Sequence, residues 1–169
     1  MKFPRTVEHA PHATLEIVGA DPPGWLVAHA HNDPRIALAG WVDDLAAWLT
    51  GTAIVLCPLR IGGGIKIKSL EAIAAGKCVV TTSVGVQGFD AHARRAFLIR
   101  DDPSAFAAAI VELLRHPDLR SRQEARAQAV AAELPTWEQA SRSLAECWSA
   151  AASLRRQQGR PGYGPAVSC

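Results

Sequence analysis

The sequence has no run of about 18 apolar residues, the least that a membrane-crossing helix needs, and no basic-then-apolar leader at its start. The expected location is the cytoplasm, with membrane contact peripheral at most. The four cysteines, Cys57, Cys78, Cys147 and Cys169, contain no C-x-x-C pair. Zinc ribbons and thioredoxin-like redox chemistry are therefore not expected. Cys57 and Cys78 lie in apolar runs and read as small buried hydrophobes. There is no H-E-x-x-H, and His29 and His31 bracket Ala30. Neighbours of that spacing point to different sides of a helix and do not share a metal, and no metal or cofactor is expected for the chain. His9, His12, His92 and His116 are expected at the surface. Excess charge is also lacking. The formal net charge is +2 and charged residues make up 20%, without the strongly basic face of a nucleic-acid binder.

Familiar phosphate signatures are missing too. G-x-G-x-x-G is absent, and Gly76-Lys77 has neither the preceding glycine nor the following Ser or Thr of G-x-x-x-x-G-K-[ST]. A dinucleotide-dependent dehydrogenase and a P-loop ATPase are disfavoured. No G-x-S-x-G elbow or local Cys/His constellation marks a nucleophile.

What is present is a regular alternation of strand and helix patterns. The 169 residues, 49% of them hydrophobic, suffice for one domain with a proper core. Strands are predicted at 14–19, 35–39, 53–59, 77–82 and 96–100. Helices are predicted at 25–31, with Trp25, Leu26 and Ala30 on the apolar side, at 44–49 behind an Asp43 N-cap, and at about 65–75. Three more follow, from Asp102 or Ser104 to Arg115, from Pro117 to Leu134, and from Trp137 to Gln157. The last carries Trp137, Ala140, Leu144, Cys147 and Trp148 on one side. Such alternation predicts an α/β fold, a parallel sheet with helices on both faces. Residues 1–11 read as an irregular start, 12–134 as the α/β domain, 135–158 as a C-terminal helix and 159–169 as a disordered tail. Ligands of such folds bind beyond the C-terminal ends of the strands. Four loops are expected there, at 19–21, 40–42, 60–64 and 83–88.

The chain is organised around residues 58–76. An apolar run enters a loop, Pro58-Leu59-Arg60-Ile61-Gly62-Gly63-Gly64, and a helix follows from Ile65. Three successive glycines allow φ > 0 and close approach of a ligand. Free N–H groups and the positive dipole end of the helix face that loop and suit an anion, most often phosphate. Lys66 and Lys68 oppose the helix dipole by a few tenths of a kcal/mol, a cost that a bound anion offsets. The other reading of Gly62–Gly64 is a flexible connection. Glu71 reads either as a surface partner of Lys68 or as an acceptor for two ribose hydroxyls. Trp41 reads either as a packing residue at a strand end or, with Gly40 and Val42, as backbone lying against a base. Arg60 reads equally as a solvated arginine or a phosphate ligand.

Taken in order, Leu15–Gly19, Gly40-Trp41-Val42-Asp43-Asp44, Pro58–Ala72, Val79–Thr82 and Val86-Gln87-Gly88 resemble the donor-binding half of group 1 glycosyltransferases. These are retaining enzymes of the GT-B fold, and the resemblance spans roughly residues 12–150. It implies a Rossmann-like, nucleotide-sugar-binding domain, the C-terminal half of that fold. It also implies metal-independent transfer of a hexosyl group from a nucleotide-sugar donor to an acceptor, as in polysaccharide or lipid-linked glycan synthesis. In the family, the glutamate matching Glu71 binds the donor ribose. The loop and helix start matching Gly62, Gly63, Gly64, Ile65 and Lys66 bind the diphosphate and sugar. The stretch matching Gly40–Val42 lies near the base. Lys66 is the candidate stabiliser of the leaving diphosphate. Many members carry a second glutamate where this chain has Gly63. Lys2 and Arg5 do not sit in the context of the family's phosphate-binding arginine and lysine. The resemblance thus implies the C-terminal part of a longer enzyme, an acceptor domain in the same or another chain, and an exposed sheet edge open to self-association. A non-catalytic nucleotide-binding remnant or partner subunit is the alternative.

Overall fold

The computed structural model describes residues 10–157. Within them the chain divides into two compact units between Glu133 and Leu134, each described here by itself. Of the irregular start only residues 10 and 11 are described, and neither belongs to a helix or strand. The tail expected at 159–169 lies outside the described residues.

In the first unit, β1 (Leu15–Val18) and β2 (Ile36–Gly40) pair in parallel across helix α1 (Gly24–Asn32). Next come α2 (Leu45–Thr50), β3 (Val55–Cys57), α3 (Ile67–Ala74), β4 (Val79–Thr81) and β5 (Phe97–Ile99). Helices α4 (Pro103–Arg115) and α5 (Pro117–Glu133) complete the unit. Strands β3, β4 and β5 form a second parallel ladder in that order, with Val55 opposite Val79 and Val79 opposite Phe97. The parallel α/β class is as expected, but the strands form two ladders in place of one sheet. Apart from β2, which keeps its length one residue later, they are also shorter than predicted. β3 stops at Cys57 because Pro58 has no N–H to offer a ladder.

Period-two alternation sorts the β3–β5 ladder into two covered faces. On one, Cys78 and Val80 form a buried cluster with Ala109 and Leu113 of α4, joined by Leu56, Leu98 and Phe106. Helix α3 packs on β3 and β4, and the alternation assigns it the opposite face, that of the fully buried Val79 and Thr81. Helix α5 packs in turn on α3 and on the short 3₁₀ turn Ala93–Ala96, where Gln123 Nε2 donates to the Arg95 carbonyl at 3.2 Å.

Local chemistry explains where the helices begin. Asp102 Oδ1 accepts from the amides of Ser104 and Ala105, both at 2.9 Å, and Pro103 opens α4. For α2 the cap is Asp44 and not Asp43, because an N-cap carboxylate must reach the second or third helical amide. Asp44 Oδ1 does so at Ala47, 2.9 Å away. In α1, Leu26 is buried as expected, but Trp25 is 56% exposed. Its ring meets the His29 ring edge-on at 6.0 Å, and His29 Nδ1 donates to the Trp25 carbonyl at 2.8 Å. Trp25 is thus tied to its own helix and not to the core.

The second unit is described by α6 (Trp137–Gln157). Thr136 and Gln139 cap it reciprocally. The Gln139 amide donates to Thr136 Oγ1 at 3.2 Å, and the Thr136 amide donates to Gln139 Oε1 at 2.8 Å. Trp137, Leu144, Cys147 and Trp148 are exposed.

The cysteines separate by environment. Burial pushes the Cys57 thiol up, opposed by the Ser69 hydroxyl and the Lys68 charge. Burial pushes Cys78 up to about 11, helped by the Glu124 charge and opposed by Arg120. Since the thiolate is the nucleophile, iodoacetamide at about pH 8 is expected to modify Cys147 in the folded chain and to spare Cys57 and Cys78. Peptide mass spectrometry checks this, and modification of Cys78 before unfolding would contradict it.

Candidate functional site

Between Pro58 and α3 the chain runs without regular structure. Gly62 has φ 132° and Gly64 φ 66°, both in the region that favours glycine. Gly63 has no positive φ, and a Cβ there would meet nothing within 4 Å. Two of the three glycines, not all three, thus use their conformational freedom. Helix α3 begins at Ile67, two residues later than predicted, because Lys66 is an N-cap with extended backbone, φ −94° and ψ 103°. Among the described residues, the backbone N–H groups of Gly62, Gly63, Gly64, Ile65 and Lys66 donate no hydrogen bond. Unbonded donors at a helix N-terminus suit an anion.

Lys66 lies at the start of α3, beside the glycine loop. Lys66 is only 9% exposed. Its Nζ donates to the Gly63 carbonyl at 2.9 Å, the Gly64 carbonyl at 3.2 Å and Gln87 Oε1 at 3.5 Å. Lys68, Arg60 and Glu71 are exposed. Glu71 forms no ion pair with Lys68, and Arg60 makes no ion pair among the described residues. Glu71 is thus exposed without an ion pair among the described residues.

The loop after β4 is locked to the glycine loop. Thr81 Oγ1 donates to the Cys57 carbonyl at 3.0 Å and Thr82 Oγ1 donates to the Leu59 carbonyl. The Gly85 amide donates to Thr82 Oγ1 at 3.3 Å. A Cβ on Gly88 (φ 86°) would fall 2.9 Å from Ile65 Cα, so the two loops touch backbone to backbone. Residues 83–88 include a 3₁₀ turn, Val84–Val86, two residues before Gly88. Gln87, Gly85 and Gly88 stand on the 83–88 loop expected at this edge, though none of the three is among the donor-binding residues expected from the sequence. The spacing of the two glycines directly after Thr81-Thr82 was the available signal.

The other two expected loops are paired with each other. Gly40 turns the chain at φ 70°, and its carbonyl accepts from the Gly19 amide at 2.8 Å. Trp41 is 78% exposed, while Val42 is half-buried. No hydrogen bond among the described residues joins the Gly40–Val42 turn to the glycine loop.

Known proteins bear out the resemblance. The family model described as glycosyl transferases group 1 matches residues 1–116. A D-inositol 3-phosphate glycosyltransferase of Streptomyces avermitilis is 30% identical over 124 residues, 72% of this chain and 26% of that protein. An uncharacterized 44.6 kDa protein in the cps region of Klebsiella pneumoniae is 32% identical over 69 residues, 41% of this chain and 18% of that one. The crystal structure of WaaG, a glycosyltransferase involved in lipopolysaccharide biosynthesis, superposes with a TM-score of 0.67 at 20% identity, over 84% of this chain and 42% of WaaG. The chain thus spans about a quarter of the length of the Streptomyces relative. With the parallel α/β architecture of a GT-B half and a family match over most of its length, the chain belongs to the group 1 glycosyltransferases.

Proposed function

We propose that this chain supplies the donor side of a retaining glycosyltransferase that uses a nucleotide-sugar and no metal. The observation that carries the reading is the row of five unbonded amides from Gly62 to Lys66 above α3, with Glu71 exposed and unpaired on that helix. The diphosphate lies against those amides. Arg60, Lys66 and Lys68 supply positive charge, and the Glu71 carboxylate accepts from the two ribose hydroxyls. Gly40, Trp41 and Val42 lie along the base. Transfer breaks the bond between the anomeric carbon and the diphosphate oxygen, and the electron pair leaves with the diphosphate. Fixed amides and the helix dipole stabilise that developing charge without reorganising. The acceptor oxygen bonds to the same face of the sugar, which retains the configuration, and its proton passes to the departing phosphate.

The acceptor side comes from residues beyond this α/β unit, in a further domain or a second chain. The setting we assign is cytoplasmic assembly of a polysaccharide or lipid-linked glycan, consistent with the absence, among the described residues, of a helix able to cross a membrane. Calorimetric titration of the chain with UDP and with GDP tests the donor reading. One of the two is expected to bind, and Glu71→Ala to weaken it about tenfold or more, since hydrogen bonds to a charged group contribute about 1.5–3 kcal/mol each. Equal affinities of wild type and variant would remove Glu71 from the ribose.

A further inference from the structure

The environment of Lys66 is unusual for a lysine beside an anion site. Its ammonium has three protons and three acceptors: the Gly63 carbonyl, the Gly64 carbonyl and Gln87 Oε1. A Cβ on Gly62 would fall 3.1 Å from Nζ, so the loop closes tightly around the end of the side chain. The peptide groups between Gly63 and Gly64 and between Gly64 and Ile65 are trans. In a planar trans peptide the C=O and N–H point in opposite directions. A cation that draws both carbonyls toward itself therefore turns the Gly64 and Ile65 N–H groups away from itself, and both are unbonded. The Gly88 backbone lies close against Ile65.

We infer that Lys66 is a positioning residue: it grips the Gly63 and Gly64 carbonyls so that the Gly64 and Ile65 amides face the donor diphosphate, and Gln87 keeps it there. This rests on the loop being the diphosphate site. It differs from a lysine that swings out to touch the phosphates, because Lys66 keeps its carbonyl bonds when the donor is bound. Its charge still reaches the anion, through the oriented amides. Gln87 sits on the loop after β4, so it links the order of that loop to the geometry of the cradle.

The two behaviours predict opposite signs for Gln87→Met, a change at an exposed position that leaves the core intact. A lysine that must swing out is freed by losing Gln87, and UDP or GDP binds as tightly or more tightly. A lysine that positions by staying loses a restraint, and binding weakens by roughly two- to threefold, the effect of one long hydrogen bond. The experiment is ¹⁵N relaxation and nucleotide titration on the full chain, with wild type, Lys66→Met and Gln87→Met. In the free protein, order parameters at Gly64 and Ile65 should be near the rigid value of about 0.85 and fall below about 0.6 in Lys66→Met. UDP or GDP affinity should fall in both variants, while the matching nucleoside, which lacks phosphates, changes less than about twofold. Unchanged amide order in Lys66→Met, or undiminished nucleotide binding in Gln87→Met, overturns the inference. Failure of wild type to bind either nucleotide refutes the donor reading instead, and the amide order of the free protein still decides whether Lys66 shapes the loop.

Discussion

Gly85→Ala should lower the thermal midpoint of the chain by about 10 °C, corresponding to about 3 kcal/mol for a protein of this size. The added Cβ would stand 1.9 Å from Thr81 Oγ1 and 3.4 Å from the Cys57 carbonyl oxygen. Thr81 is fully buried, and its hydroxyl donates to that same carbonyl. Turning the threonine aside breaks the bond and leaves a buried acceptor unsatisfied, which by itself costs about 1–3 kcal/mol. Leaving it in place forces β4 and the turn apart. Two neighbours competing for one space should behave non-additively. Adding Thr81→Ala to Gly85→Ala should therefore destabilise less than the two single effects combined. Thermal unfolding followed by circular dichroism gives both answers, and a midpoint for Gly85→Ala within about 2 °C of wild type would show that the turn is not packed as described.

Gly88→Ala should act differently, with a moderate loss of stability and a larger loss of nucleotide affinity. The position has φ 86°, which costs an L-residue about 1–2 kcal/mol. Its Cβ would approach Ile65 Cα at 2.9 Å, Ile65 Cβ at 3.0 Å and Ile65 N at 3.1 Å. Two of those atoms are backbone and cannot rotate away. Ile65 must retreat, and the amide cradle goes with it. The expected outcome is a midpoint lowered by about 5 °C and affinity for UDP or GDP lowered at least about tenfold, as a small misplacement of preorganised donors implies. Gly51→Ala, at the end of α2 and outside the glycine loop, is the internal control. That position has no positive φ and open space around it, so both quantities should stay at wild-type values. A Gly88→Ala protein that binds normally would show that the two loops do not act together.

How much of this was legible in the sequence depends on whether the deciding partner is local. The start of α4 was readable because Asp102 and Pro103 carry its cap and first turn themselves. The alternation of strands and helices was readable for the same reason. Three successive glycines announced that positive φ was allowed, but not that Gly62 and Gly64 would use it and Gly63 would not. A lysine at a helix start has two destinations, outward to an anion or inward to carbonyls. The choice was made by the course of the loop and by Gln87, far along the chain. Trp41 and Trp25 were equally undecidable, because a tryptophan beside a strand or in a short helix is buried only if another element arrives to cover it. The division into two ladders is likewise set by packing among distant segments. The fold class, the site's centre and the place of the 83–88 loop at the same edge were therefore plain, while the direction of side chains was not.

The central claim is that the glycine loop and α3 hold a nucleotide-sugar by its diphosphate and ribose. The most direct test is a double-mutant cycle, with wild type and Glu71→Ala each titrated with the nucleoside diphosphate that binds and with its 2′-deoxy counterpart. Wild type is predicted to lose about tenfold in affinity when the hydroxyl is removed, the effect of one hydrogen bond to a carboxylate, and Glu71→Ala to bind both nucleotides equally and weakly. Equal discrimination by the two proteins, or a wild type indifferent to the 2′-hydroxyl, would contradict it.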